Sequence, residues 1–335
     1  FAILPRVRSP YIVGRGAPMG TELEAAGFSD DVSLDGIGKI RNSRGVALRL
    51  AWSGAPPRTS PEELRFKAAT YDLFRSSSWR RSPTAGRVGR GAGVRYRLSD
   101  IAPRRWARIW LQPTRSRSLP LPSDAVALEI TSLSLFVDQG GAVELPLPAL
   151  ELIEYRVGLA DRPVLLAEAP ERTPSVLDRK AITPRITALA QQVAKSGTVA
   201  ERAARIERHL TRSYSYRTAG LGTLGTVNPV EQFLFRTRSG HCELFASAMV
   251  LMLRSQGIPA RLATGYLGGE FNPFEGYLIV RDSNAHAWVE AWLPEEGIWR
   301  TFDPTPPAGR PNATEQGFLG VARQAYDYFL FRWDR

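Results

Sequence analysis

The chain has 335 residues, a formal net charge of +11 and 43% hydrophobic residues. That composition supports ordinary packed cores and excludes a disordered chain, and the length suits about two domains. A single cysteine, Cys242, excludes an internal disulfide framework without fixing the compartment, and no apolar run approaches the roughly 18 residues of a membrane-spanning helix. The basic residues are mostly arginine, with Lys39, Lys67, Lys180 and Lys195 the only lysines. They are spread along the chain without a nucleic-acid motif, so nucleic acid is not expected as a partner.

In chain order, Phe1-Ala2-Ile3-Leu4-Pro5 reads as the end of something apolar, and residues 1–20 are expected to be a membrane-proximal segment. Residues 21–165 are β-rich. Alternation marks strands at 46–52, 64–68, 94–98, 107–111, 125–130 and 153–157, separated by prolines and serines, which suggests a sandwich or small barrel. Arg75, Arg80, Arg81, Arg87, Arg90, Arg95 and Arg97 surround a glycine-rich stretch, Gly86 to Gly93. No Gly-Lys-Ser/Thr closes it, so it is not a P-loop. It reads either as a solvated loop or as a surface for lipid headgroups or an acidic polymer.

The texture changes after Pro163, and a second domain is expected over 166–310. Helices are predicted at 184–195 and 199–214, the latter opened by a Thr198/Glu201 capping box. A loop with Gly220, Gly222 and Gly225 follows, then a segment at 230–235. Another helix runs from Cys242 to Gln256 and is stopped by Gly257-Ile258-Pro259. Strands are predicted at 260–266, 276–280, 285–292 and 299–303. Residues 311–335 alternate aromatics and arginines near helical spacing, as in a juxtamembrane amphipathic helix or one packed on the domain's own surface.

Cys242 opens a helix after a glycine turn, where unpaired N–H groups and the helix dipole lower a thiol pKa. A thiol nucleophile needs a base and a group that orients that base. Of the three histidines, His209 reads as structural or exposed, and His241 adjoins the thiol but points elsewhere. His286 lies on a strand face with Trp288, Glu290 and Trp292, and Asp303 ends the next strand, within reach of the imidazole. Cys242, His286 and Asp303 are therefore the candidate triad, and Glu290 is a supporting or structural carboxylate. A zinc site from Cys242, His241 and His286 is the competing chemistry, but no paired ligand spacing supports it. No calcium-loop pattern is present, and no cofactor is expected.

These residues carry a resemblance. Ser239-Gly240-His241-Cys242-Glu243-Leu244-Phe245-Ala246, Gly257-Ile258-Pro259-Ala260-Arg261, Thr264-Gly265-Tyr266, Asn284-Ala285-His286-Ala287-Trp288-Val289-Glu290 and Phe302-Asp303-Pro304-Thr305-Pro306 closely resemble the transglutaminase-like superfamily over about residues 180–306. The resemblance implies an α+β fold, a β-rich, sandwich-like domain followed by a papain-like transglutaminase core. It also implies a Cys-His-Asp triad at Cys242, His286 and Asp303. The chain ends look like those of bacterial membrane-anchored protein-glutamine gamma-glutamyltransferases. That implies an extracytoplasmic part of an integral membrane protein, with membrane contact at both ends. Some transglutaminases place a tryptophan upstream of the cysteine; Phe233-Leu234-Phe235-Arg236-Thr237-Arg238 holds none, which leaves only the Cys242 N–H as an assigned oxyanion donor. The expected reaction is acyl transfer from a protein glutamine or peptide bond through a Cys242 thioester to an amine or water. A catalytically idle scaffold that binds peptides or cell-wall material, and a membrane-surface adaptor working through the arginines, are the alternatives.

Overall fold

The computed structural model describes residues 31–34, 43 and 45–311, apart from 55, 57–59, 76, 83–86, 90, 93, 132–133, 165, 168, 173, 218–227 and 273–275; side chains at 31–33, 83–93 and 172–174 are also outside it. The segment 1–20, the glycine loop at 220–225 and, but for residue 311, the helix expected over 311–335 lie outside the described residues.

The first half is strand-rich, as its alternation predicts. The strands that matter for the site are β1 (Val46–Ser53), β2 (Arg65–Tyr71), β3 (Arg95–Arg97), β4 (Arg105–Leu111), β5 (Leu121–Pro122), β6 (Ala125–Glu129) and β7 (Ile153–Leu159). Helices α1 (Pro184–Val193), α2 (Val199–Ser213) and α3 (Cys242–Ser255) follow. Then come β8 (Ala260–Leu267), β9 (Glu270–Asn272), β10 (Tyr277–Arg281), β11 (Ala285–Leu293) and β12 (Ile298–Phe302). The capping box that opens α2 is formed: the Glu201 N–H donates to Thr198 Oγ1 at 3.2 Å and the Thr198 N–H to Glu201 Oε2 at 3.0 Å.

Two sheets hold most of the strands. The larger has the order β9-β10-β1-β4-β7-β6-β3, closed by the short strand Gly91–Ala92; the smaller has the order β5-β2-β8-β11-β12. Each sheet draws strands from both sides of residue 165. The change of sequence texture there is real, but hydrogen bonding runs across it. Alternation tells which face of a strand is apolar, not which strand it joins, so this interleaving was not readable from the sequence.

The β2–β8 pairing is antiparallel, with Phe66 opposite Tyr266 and a bulge between Thr264 and Gly265. A Cβ at residue 265 would lie 1.9 Å from the Phe66 carbonyl oxygen. Only glycine lets β2 approach this closely.

Every residue of α3 is buried, which suits a helix apolar around most of its circumference. It packs on β11 and β8, with α1 and α2 against its other sides. The segment expected at 230–235 is a four-residue helix, Pro229–Gln232, that widens into a π turn over Phe233–Thr237. Asn228 caps it, accepting from the Val230 and Glu231 N–H groups. Arg238 ends it in the left-handed region, φ 49°, and turns the chain into Ser239–Gly240. That short strand runs parallel to Ser215–Tyr216, and the Arg217 N–H donates to the Gly240 carbonyl at 2.8 Å. The peptide leading into Cys242 is thereby tied to the end of α2.

Candidate active site

Cys242 is the first residue of α3. His241 before it is the N-cap, extended at φ −98°, ψ 175°, without a side-chain cap. The helical ladder begins with the Leu244 and Phe245 N–H groups donating to the His241 carbonyl at 3.0 and 3.3 Å. Cys242 thus sits at the positive end of the helix dipole, ahead of the ladder. Its side chain is buried and outside any disulfide. Gly240 makes room for the turn: a Cβ there would meet Leu244 Cδ1 at 2.7 Å and Phe233 Cδ2 at 3.1 Å.

His286 is the second residue of β11, opposite Gly265 on β8, and is fully buried. Its Nε2 lies 2.9 Å from Asp303 Oδ2, while Nδ1 makes no hydrogen bond among the described residues. A carboxylate acceptor at Nε2 favours the proton there, which leaves the lone pair on Nδ1.

Asp303 directly follows β12. Its Oδ1 accepts from the Thr305 N–H at 3.1 Å, and its own N–H donates to Glu207 Oε1 on α2 at 2.7 Å. Arg310 Nε and Arg65 Nη2 stand 3.5 and 3.8 Å from Oδ2. Burial works to raise the Asp303 pKa, but the His286 imidazole, then Arg310 and Arg65, outweigh it and hold the carboxyl well below the usual range. Glu207 is shifted the other way, chiefly by burial.

The structure thus joins His286 to Asp303 directly and places Cys242 on the helix that packs against the histidine's strand. Arg65, Glu207 and Arg310 were missed by sequence reasoning. They come from β2, α2 and the segment after β12, and nothing in their local patterns marks them. Thr305 was inside the motif read from the sequence, two residues past the aspartate.

The other candidates are accounted for. His241 is buried with Nδ1 3.1 Å from Glu243 Oε2. His209 is half-buried and edge-on to Tyr214, with ring centres 5.7 Å apart. Glu290 is a structural ion: Lys67 Nζ lies 3.0 Å from one oxygen and Arg261 Nη2 2.7 Å from the other, all buried or nearly so. Burial alone would raise its pKa, but the two cations together lower it. Among the described residues no group of three His, Cys, Asp or Glu side chains is placed to hold a metal ion. Arg81, Arg95 and Arg97 of the arginine cluster are ion-paired with Glu144, Glu129 and Asp100.

A tryptophan from the first half of the chain packs on the Cys242 helix, but does not supply an oxyanion donor. The Trp79 indole N–H donates to Ser247 Oγ on α3 at 2.7 Å, and Ser247 in turn donates to the Glu243 carbonyl at 2.6 Å. Trp79 therefore braces the first turns of α3, and its N–H is already engaged.

A thiol at a helix start, an imidazole on a neighbouring strand and a carboxylate just past the next strand are now in place, and family comparison shows that residues 187–304 match the Transglutaminase-like superfamily. Residues 187–304 are thus a transglutaminase-like core domain, and residues 1–165 match the TgpA N-terminal domain. The protein-glutamine gamma-glutamyltransferase of Pseudomonas aeruginosa is 31% identical over 313 residues, covering 90% of this chain and 43% of that protein. The YebA protein of Bacillus subtilis is 51% identical over 80 residues, 23% of this chain and 11% of that one. The chain therefore spans less than half the length of these relatives. The crystal structure of the periplasmic domain of TgpA from Pseudomonas aeruginosa is 27% identical, with a TM-score of 0.69 over 83% of this chain and 93% of that one.

Proposed function

We propose that this chain is the catalytic portion of a thiol acyltransferase acting on protein glutamine. The observation that carries the reading is the buried His286–Asp303 hydrogen bond of 2.9 Å, which leaves Nδ1 without a partner among the described residues, on the strand against which the Cys242 helix packs. The thiolate of Cys242 attacks the carboxamide carbon, and the oxyanion is held by the Cys242 N–H at the helix start. His286, protonated at Nδ1 by the thiol, returns that proton to the departing ammonia. Asp303 keeps the Nε2–H tautomer and balances the imidazolium. An amine then attacks the thioester, its proton passing through the same nitrogen. Water would give deamidation instead.

The likeness to a periplasmic domain supports placing this portion outside the cytoplasm. Among the described residues no helix is long and apolar enough to cross a membrane. The test is incorporation of a fluorescent primary amine into a glutamine-containing protein, with released ammonia measured in parallel. Amine incorporation is expected, and Cys242→Ala or His286→Ala should lower it by at least about a hundredfold. Ammonia release without incorporation would make the chain a deamidase, and neither product would contradict acyl transfer.

A further inference from the structure

A groove beside β12 has no part in the triad chemistry described above. β12 is the outermost strand of the smaller sheet, paired with β11 on one edge and, among the described residues, with no strand on the other. A cavity of about 760 Å³ lies beside it, lined also by Arg162, Pro163, Val164, Ala167 and Ala169. That is room for a few residues of extended chain. Trp299 is buried at its base, with Trp292 edge-on at 5.9 Å, and Ile298 is 46% exposed beside them. Arg65, Arg162 and Arg300 line the groove, and no carboxylate does. Arg300 is ion-paired with Glu296, outside the lining, and both Arg162 and Arg300 are exposed.

We propose that this groove binds an extended acidic segment of the polypeptide substrate, lying alongside β12. The proposal rests on the acyl-transfer reading of Cys242, His286 and Asp303, and it specifies what flanks the reacting glutamine. Three features select this occupant. A strand edge with no partner strand among the described residues offers backbone N–H and C=O groups that an extended peptide can satisfy. The tryptophan and isoleucine side chains offer apolar contact to alternate residues of that peptide. No carboxylate lies in the lining itself; Arg300 is ion-paired with Glu296 and Arg65 faces Asp303, so Arg162 foremost selects carboxylates and steers their approach. A flat lipid surface would reach the rim arginines but not the concave base. Arg65 ties the groove to the site: it lines the groove and stands 3.8 Å from Asp303 Oδ2. A peptide seated there ends beside the carboxylate end of the triad.

The test is fluorescence anisotropy with a short labelled peptide of alternating glutamate and valine, against its glutamine-and-valine counterpart. The proteins are the full chain and its R162E/R300E and R162Q/R300Q variants, which change exposed side chains only. Cys242 alkylation by iodoacetamide is followed in each. The acidic peptide should bind about tenfold more tightly than the neutral one. Charge reversal should weaken it about tenfold and neutralisation by less, added salt should weaken it in the parent, and alkylation should not change. Equal binding of the two peptides, or equal affinity in all three proteins, overturns the groove. So does binding of phosphatidylglycerol vesicles that needs these arginines while the peptide does not bind. Slow alkylation in the parent with charge-dependent peptide binding intact would sink the catalytic reading alone, so the two failures are separable.

Discussion

The charge balance of the site converges on Asp303. It accepts from His286 and from the Thr305 backbone, and two guanidinium groups face it from β2 and from the segment after β12. Its pKa is depressed in the fold, so its contribution to stability is present above the ordinary carboxylate value of about 4 and is lost as pH falls toward the depressed value. Asp303→Asn removes that term and leaves Arg65 and Arg310 without their carboxylate. The variant should be less stable by on the order of 2 kcal/mol at pH 7, with the gap narrowing below about pH 4. Urea unfolding at both pH values checks this; an equal deficit at the two would mean that the carboxylate is not ionised by its surroundings. The placement of the candidate residues Cys242, His286 and Asp303 was legible in the sequence, because each stands at a recognisable junction: a helix start, an alternating strand, a strand end. The groups that tune them were not. An arginine on β2 carries no mark of the aspartate that it will meet more than two hundred residues later.

Among the elements, β11 carries the most. Its alternation gave its two faces from sequence alone, and one face presents His286 at one end and Glu290 further along. What alternation could not give is the partner set. Glu290 binds Lys67 on β2 and Arg261 on β8, while Lys67 also donates to the Gly140 carbonyl at 2.7 Å and Arg261 to the Gln139 carbonyl at 3.3 Å. Arg261 also lies over the Trp299 ring of β12, 4.0 Å from its centre. This one carboxylate therefore pins the 139–140 turn and three strands together. Desolvation and then Arg261 lower the Lys67 pKa, and Glu290, with a smaller contribution from Asp138, works against them. Glu290→Gln leaves two buried cations facing each other and should cost roughly 3–5 kcal/mol. Replacing Lys67, Glu290 and Arg261 together by methionine should recover most of that loss in urea unfolding. A cost below about 1 kcal/mol for the single change would mean that the pair is solvated in solution.

At the scale of the molecule, the β-rich half is structural to the site, not an appendage. β2 lies between β5 and β8 in the sheet that bears His286, β10 and β9 extend the sheet of the first half, and Trp79 braces α3. The change in texture at Pro163 was visible in the sequence, but the long-range pairings that cross it leave no periodic signal. They also explain how a fully buried thiol and imidazole are held in place: sheet, helix and brace come from three distant stretches of chain. The account stands or falls on whether Cys242 and His286 behave as one acid–base unit in that setting. The most direct measurement is the rate of iodoacetamide alkylation of Cys242 against pH, in the full chain and in His286→Ala. The account predicts fast alkylation well below pH 8 that the substitution abolishes. A slow reaction in both proteins, rising only near the ordinary thiol value of about 8.5, would contradict it and leave a peptide-binding scaffold of the same fold.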